Sequence, residues 1–183
     1  IPIAWTWVKH VCGHSTAGKQ QALLAYVRKL LPKGAAVFLV GDTEFGSVEV
    51  LRQLDSWRWC YVLRQKTSTQ VWLNAQPRWQ DFGSFVHKPG QSVWLGQGYL
   101  AQNHIYPVNL LAHWEIGEKE PWCLATNLPD RQMTLAYYAR RMWIEEMFGD
   151  LKSHGFDLEC TMLRQANKLS RLTLAVALLY VWS

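Results

Sequence analysis

Tyr138, Arg141, Glu145 and Lys152 recur in "YYARRMWIEEMFGDLKSHGFDLE" at offsets 0, 3, 7 and 14. At about 100° per helical residue these offsets fall within an arc of about 60°, so the spacing predicts one helix over residues 137–155 with all four side chains on a single outward face. The opposite side would carry Trp143, Ile144, Met147 and Leu151, an apolar stripe suited to packing on a core. The polar row has the chemistry of a phosphate-processing site. Glu145 is a hard oxygen ligand for Mg²⁺ or Mn²⁺, Arg141 and Lys152 are cations able to neutralise a phosphate backbone, and Tyr138 can stack on a base or hydrogen-bond to a phosphate.

Such a metal site needs a second carboxylate. Asp42 is the candidate, because it follows the unbroken apolar run of "AAVFLVGD" and ligand sites of open α/β sheets gather at the carboxyl ends of strands. Two ions held about 3.5–4 Å apart would activate the attacking oxygen and stabilise the leaving one in phosphodiester chemistry. The same residues also have a purely structural explanation. Asp42 can be a turn or helix cap, Glu145 a solvated charge paired with Arg141 four residues earlier, and a helix tyrosine is commonly just packed.

The elements that must position these residues follow from patterning. "IPIAWTWVKHV" is β-branched and aromatic and predicts a strand; Ser15 or Thr16 can cap a helix over "AGKQQALLAYVRKLL", ended by "PKG". "AAVFLVGD" predicts a strand buried on both faces, "VEVLRQLDSW" a short amphipathic helix and "WCYVLRQK" another strand. This alternation belongs to an α/β domain with part of its sheet parallel. From residue 67 to 127, Gly, Pro and aromatic residues punctuate β-like runs such as "SVWLGQGYL", "IYPVNLLAHWEI" and "WCLATNL", predicting a β-rich insertion continuous with the same domain. Residues 1–66 would then hold core strands and helices, and 128–183 the helix of the polar row and a C-terminal helix.

Composition sets broad limits. The chain has 183 residues, 49% hydrophobic and 18% charged, enough for one sizeable core, and its net charge of +5 is compatible with a polyanionic partner without requiring one. Cys12, Cys60, Cys123 and Cys160 are scattered and form no CxxC pair, which argues against a zinc ribbon or a disulfide framework and for a reducing compartment. His10, Cys12 and His14 are closely spaced and lack a second ligand cluster, so they predict a loop rather than a zinc site. No basic-then-apolar leader opens the chain, and "LTLAVALLYVW" at 172–182 is shorter than the ~20 apolar residues of a membrane span and predicts a buried helix. The start in an apolar run without Met, and the end at Ser183 without a helix stop signal, read as a piece of a longer protein.

The row Tyr138, two residues, Arg141, three residues, Glu145, six residues, Lys152 resembles the Y-x2-R-x3-E-x6-K signature of DDE transposases of the insertion-sequence-four family, matching it at every defined position. "EEMFGDLKSHGFDLECTMLR" is similar to that family's continuation, "VFLVGDTEFGS" to its strand ending in the second catalytic aspartate, and "IPIAW" to the segment after its first aspartate block. The resemblance spans nearly the whole chain. It implies a ribonuclease-H-like core, here incomplete, that binds double-stranded DNA at transposon terminal inverted repeats. With two Mg²⁺ or Mn²⁺ ions it would cut one strand and transfer the 3′-hydroxyl to target DNA. Asp42 and Glu145 would be metal-binding catalytic residues, and Tyr138, Arg141 and Lys152 would contact terminal phosphates. An aromatic residue of the insertion would stack on an unpaired base, although no motif says which.

The resemblance further implies a bacterial cytoplasmic protein acting at the nucleoid and, when complete, a homodimer in a synaptic complex. The family's first aspartate would fall upstream of Ile1, so the triad within this chain is expected to be incomplete, this fragment alone inactive, and its strand edges exposed. Thr43 stands where members often carry arginine. Two other readings stay open: a catalytically dead DNA-binding remnant, and a ribonuclease-H-like nuclease outside transposition.

Overall fold

The computed structural model of the chain describes residue 4, residues 15–101, 103, 105–149 and 165, and residues 167, 168 and 170–175. The strand expected over residues 1–11, the His10, Cys12 and His14 group, Cys160 and Lys152 lie outside the described residues, Ala4 excepted.

Helix α1, Ala17–Leu30, begins where the Thr16 side chain accepts a hydrogen bond from the Lys19 N–H at 3.4 Å, and it ends before Pro32 with Arg28 and Lys29 in the last turn, where cations complement the helix dipole. Strand β1, Phe38–Gly41, leads through a tight turn at Thr43–Phe45 into α2, Val48–Ser56. Ser47 caps α2, and Val48, Val50, Leu51 and Leu54 are buried along one side, as the spacing requires. Five of the remaining six strands are antiparallel neighbours that follow β2, Cys60–Gln65: β3, Gln70–Leu73; β4, Gln76–Asp81; β5, Ser92–Leu100; β6, Tyr106–His113; and β7, Trp122–Thr126. Helices α3, Arg131–Ala139, and α4, Arg141–Gly149, close the continuously described region.

The seven strands among the described residues form one mixed sheet in the order β1-β2-β7-β6-β5-β3-β4. Among the described residues only β1 and β2 are parallel, with Phe38 opposite Cys60. The strands of residues 67–127 extend this sheet directly: β7 lies against β2, with Gln65 opposite Cys123. Side chains alternate between the faces of β2. Tyr61 and Leu63 join Leu24, Val50, Leu51 and Leu54 in a core beneath α1 and α2, whereas Val62 joins Leu111, Leu124, Leu128 and Tyr138 beneath α3. Each fully buried leucine contributes about 1.5–3 kcal/mol, so two-sided burial is what holds the centre of the sheet.

Three expectations are corrected. β1 is not buried on both faces: among the described residues its sheet neighbour is β2 alone, and Phe38 remains 40% exposed with its ring stacked on Tyr137 at 4.2 Å. A run of apolar residues states that a strand is apolar, not that it is central. The helix expected over 137–155 is broken at Arg140, where the chain turns tightly through Arg140 N–H to Tyr137 O and Trp143 N–H to Arg140 O bonds, both 3.2 Å. Tyr138 therefore sits on α3, buried, while Trp143 and Ile144 on α4 are exposed rather than packed on a core. The described part of the 172–182 segment is helical, but Leu174 is half exposed, not buried. Among the described residues no helix is long and apolar enough to cross a membrane.

A polar clamp ties α2 to the sheet at the end remote from Asp42. Asp55 accepts hydrogen bonds from the hydroxyls of Tyr61 (3.3 Å) and Tyr106, and from Asn127 Nδ2 at 3.0 Å, while Asn127 also donates to Trp59 O at 2.9 Å and accepts from the Tyr61 N–H at 3.0 Å. Asn127→Ala should cost about 1–2 kcal/mol in chemical denaturation, since three partners lose a bond at a site water can still reach. Burial pushes the Cys123 thiol up to about 12 from its ordinary 9.0, and burial together with Asp55 raises the hydroxyls of Tyr61 and Tyr106. The unfolded chain gives up these protons first. The stabilisation is therefore complete below about pH 9 and declines as pH rises, so Tm should fall between pH 9 and 11, and Cys123 should resist thiol reagents at pH 8 until denaturant is added.

Candidate active site

Asp42 stands at the exit of β1, half-buried, and its Oδ1 accepts the Glu44 N–H at 3.0 Å, capping the Thr43–Phe45 turn. The structural explanation of this aspartate is thus realised, but it accounts for one carboxylate oxygen of two. Gly46 follows because a Cβ there would lie 2.9 Å from Arg64 O and 2.7 Å from Gln65 Nε2. The absence of a side chain lets this turn press against the end of β2.

The second group of residues is set by α3 and α4. Asp130 caps α3 by accepting the Met133 N–H at 2.8 Å, which fixes the helix start. Two turns later Tyr138 is 2% exposed, its ring edge-on to Trp122 of β7 with centroids 4.9 Å apart. Its hydroxyl has no well-aligned hydrogen-bond partner, although the Arg64 and Arg141 guanidinium groups lie close enough to favour ionisation; burial outweighs them and keeps the phenol protonated. On α4, Arg141 reaches Glu145 in an ion pair of 2.6 Å, and the Glu145 side chain is 56% exposed.

Tyr138, Arg141 and Glu145 line one cavity of about 120 Å³ together with Arg64, Glu118, Trp122, Ala139 and Met142, so a second carboxylate besides Glu145 stands on its wall. The break at Arg140 therefore does not scatter the signature residues. It turns Tyr138 inward as the floor and leaves Arg141 and Glu145 at the rim. Asp42 does not line this cavity. Its neighbour Thr43 lines an adjoining one of about 400 Å³, and Arg64 lies on the wall of both. Arg64 also donates to Pro121 O at 3.4 Å and lies 3.9 Å from Glu120.

Arg64 was not singled out from sequence. The available signal was a cation in "CYVLRQK" at the strand position two beyond the core residue Val62, where the pattern calls for another apolar side chain. Trp122, likewise missed, was one of 11 tryptophans, and nothing in its neighbourhood marked it.

The donor chemistry fits a divalent ion in kind, since Asp42 and Glu145 offer hard oxygens beside cations. The arrangement fits less well: among the described residues Asp42 does not line the cavity that Glu145 lines, and no group of three His, Cys, Asp or Glu is poised to hold a metal. No curated protein sequence matches the chain. A family model described as the transposase DDE domain matches residues 10–182. That match takes in both the β1 exit and the α3–α4 cavity, and the mixed sheet flanked by helices agrees with the ribonuclease-H-like α/β fold of such domains. The chain belongs to the transposase DDE domain family, whose members act on DNA and generally use divalent metal ions.

Proposed function

We propose that the chain is the catalytic region of a DNA transposase of the insertion-sequence-four type, cutting one strand at transposon inverted repeats and passing the freed 3′-hydroxyl to target DNA. The observation that supports this best is the convergence of Tyr138, Arg141 and Glu145 with Arg64 of β2 on one cavity, β2 being the sheet neighbour of the strand that Asp42 follows. In this reading residues 1–66 and 128–183 carry the site and residues 67–127 extend its sheet. The protein works as a homodimer that pairs two transposon ends.

Asp42 and Glu145 are the residues that would hold Mg²⁺ or Mn²⁺, which when bound would polarise the phosphodiester and activate the attacking oxygen. Arg141, Arg64 and Lys152 neutralise the phosphates flanking the cut. Tyr138, protonated at neutral pH, donates its hydroxyl to a phosphate oxygen. The ion pair with Arg141 holds Glu145 at the rim until DNA draws the guanidinium away. A third carboxylate of the family triad is not assigned within residues 1–183.

A second reading, DNA binding without catalysis, is favoured by one specific fact: Asp42 and Glu145 are each bonded locally, and among the described residues Asp42 does not line the cavity that Glu145 lines. Nicking of inverted-repeat DNA in Mg²⁺, measured for the 183-residue chain and for the product of the full reading frame that contains it, separates the two. Cleavage by the full product that is lost in Glu145→Ala supports the transposase. Salt-dependent binding with no cleavage by either supports the second reading.

A further inference from the structure

The larger cavity beside Asp42 is not used by the signature residues. Its wall carries two cations, Arg64 and Lys66, three hydroxyls, Thr43, Thr67 and Ser68, and the amide of Gln65. Gln65 is 5% exposed, and its Nε2 has no hydrogen-bond partner. A buried amide donor left without an acceptor is unfavourable unless a ligand or water completes it. Gly46 keeps the room this amide occupies. Lys66 is exposed, and among the described residues it makes no ion pair. A wall of cations and hydroxyls, with the unsatisfied Gln65 Nε2 buried beside Gly46 at its edge, is complementary to an anion rich in acceptor oxygens.

The single carboxylate on this wall is Glu120, whose side chain is 71% exposed and faces Arg64 at the long distance of 3.9 Å. Arg64 belongs to both cavities, so a polynucleotide leaving the Tyr138, Arg141 and Glu145 cavity past Arg64 enters this one.

We propose that the Thr43–Lys66–Ser68 cavity is a second phosphodiester subsite, in which Lys66, the hydroxyls and the Gln65 amide hold the backbone of the DNA strand next to the cut, and in which Glu120 occupies Arg64 until that phosphate displaces it. The inference rests on the DNA transposase reading, and its test separates the two. Duplex DNA binding by the 183-residue chain is measured by fluorescence anisotropy across a salt series, for the parent and for Lys66→Ala, Glu120→Gln, Arg141→Ala and Lys33→Ala. Lys33 is an exposed cation in the loop before β1, at the opposite end of that strand from Asp42, and it controls for net charge.

Lys66→Ala should weaken binding equally for all sequences and reduce the slope of log K against log salt by about 1, whereas Lys33→Ala should change neither. Glu120→Gln should tighten binding by about 2- to 5-fold, the worth of a weak exposed pair. If Arg141→Ala weakens binding while Lys66→Ala behaves as Lys33→Ala, the subsite is refuted and the transposase reading stands. If the parent chain fails to bind DNA at low salt, the subsite is refuted, while the transposase reading still stands or falls with the cleavage assay. Inorganic phosphate titrated at constant ionic strength should give no saturable binding; Lys66-dependent capture of free phosphate with DNA binding indifferent to Lys66 would make this a small-anion site and overturn the proposal.

Discussion

Glu145→Gln is expected to lower Mg²⁺-dependent strand cleavage by on the order of 10³-fold while leaving Tm almost unmoved. The two halves of that expectation come from different observations. Glu145 is more than half exposed and its structural partner is Arg141, so the pair lies in the range of about 0–1 kcal/mol typical of surface ion pairs. Glutamine keeps the shape and a hydrogen-bond acceptor, so little of even that is lost. The catalytic side is larger, because a carboxylate that holds a metal stabilises the transition state by several kcal/mol, and about 4 kcal/mol corresponds to 10³ in rate. DNA affinity should rise slightly, since Arg141 loses its competitor for phosphate. A Glu145→Gln protein that cleaves within a few-fold of the parent, measured on radiolabelled inverted-repeat duplex, would remove Glu145 from the centre.

Tyr138 should separate stability from activity in the opposite way. Tyr138→Ala deletes a fully buried ring packed on Trp122, Leu124 and Leu128 and should cost about 3–5 kcal/mol in denaturant unfolding. Tyr138→Phe keeps the ring and removes a hydroxyl that has no well-aligned partner, so it should change stability by less than about 1 kcal/mol. If that hydroxyl serves a phosphate, the Phe variant loses a charge-assisted hydrogen bond worth about 1.5–3 kcal/mol, an effect of about 10- to 100-fold on cleavage. A Phe variant as unstable as Ala would assign the hydroxyl to the fold; one with full cleavage and full stability would leave the tyrosine as core alone.

Much of the architecture was legible in local pattern. The run "SVWLGQGYL" is β5 residue for residue, "VEVLRQLDSW" holds α2, and Thr16 is one of the two caps expected for α1. These features depend on neighbours within a turn or a strand. What escaped depends on contacts distant in sequence. No glycine or proline marks the break at Arg140; Tyr138 is held by Trp122 and Tyr137 by Phe38, both at the end of α3 just before the break, and these contacts are distant in sequence. For the same reason the apolar content of β1 could not reveal its place in strand order. The grouping of Tyr138, Arg141 and Glu145 was readable because helical period carries it, even across a break. Arg64 was not, because its role arises only when β2 and α3 lie face to face.

The pairing of β2 with β7 has a consequence for how such a chain varies. The segment between Gln65 and Cys123 leaves and returns on adjacent rungs of one ladder, so it is a closed excursion whose two feet stand side by side. Arg64 is on one foot and Trp122 beside the other. Residues can be gained or lost at the outer hairpin of β3 and β4 without altering the spacing between Arg64 and Tyr138. The candidate site is thereby insulated from the length of this outer hairpin, and evolution, or an engineer seeking a place for a reporter tag, can work at Asn74 and Ala75 with the spacing of the site unchanged.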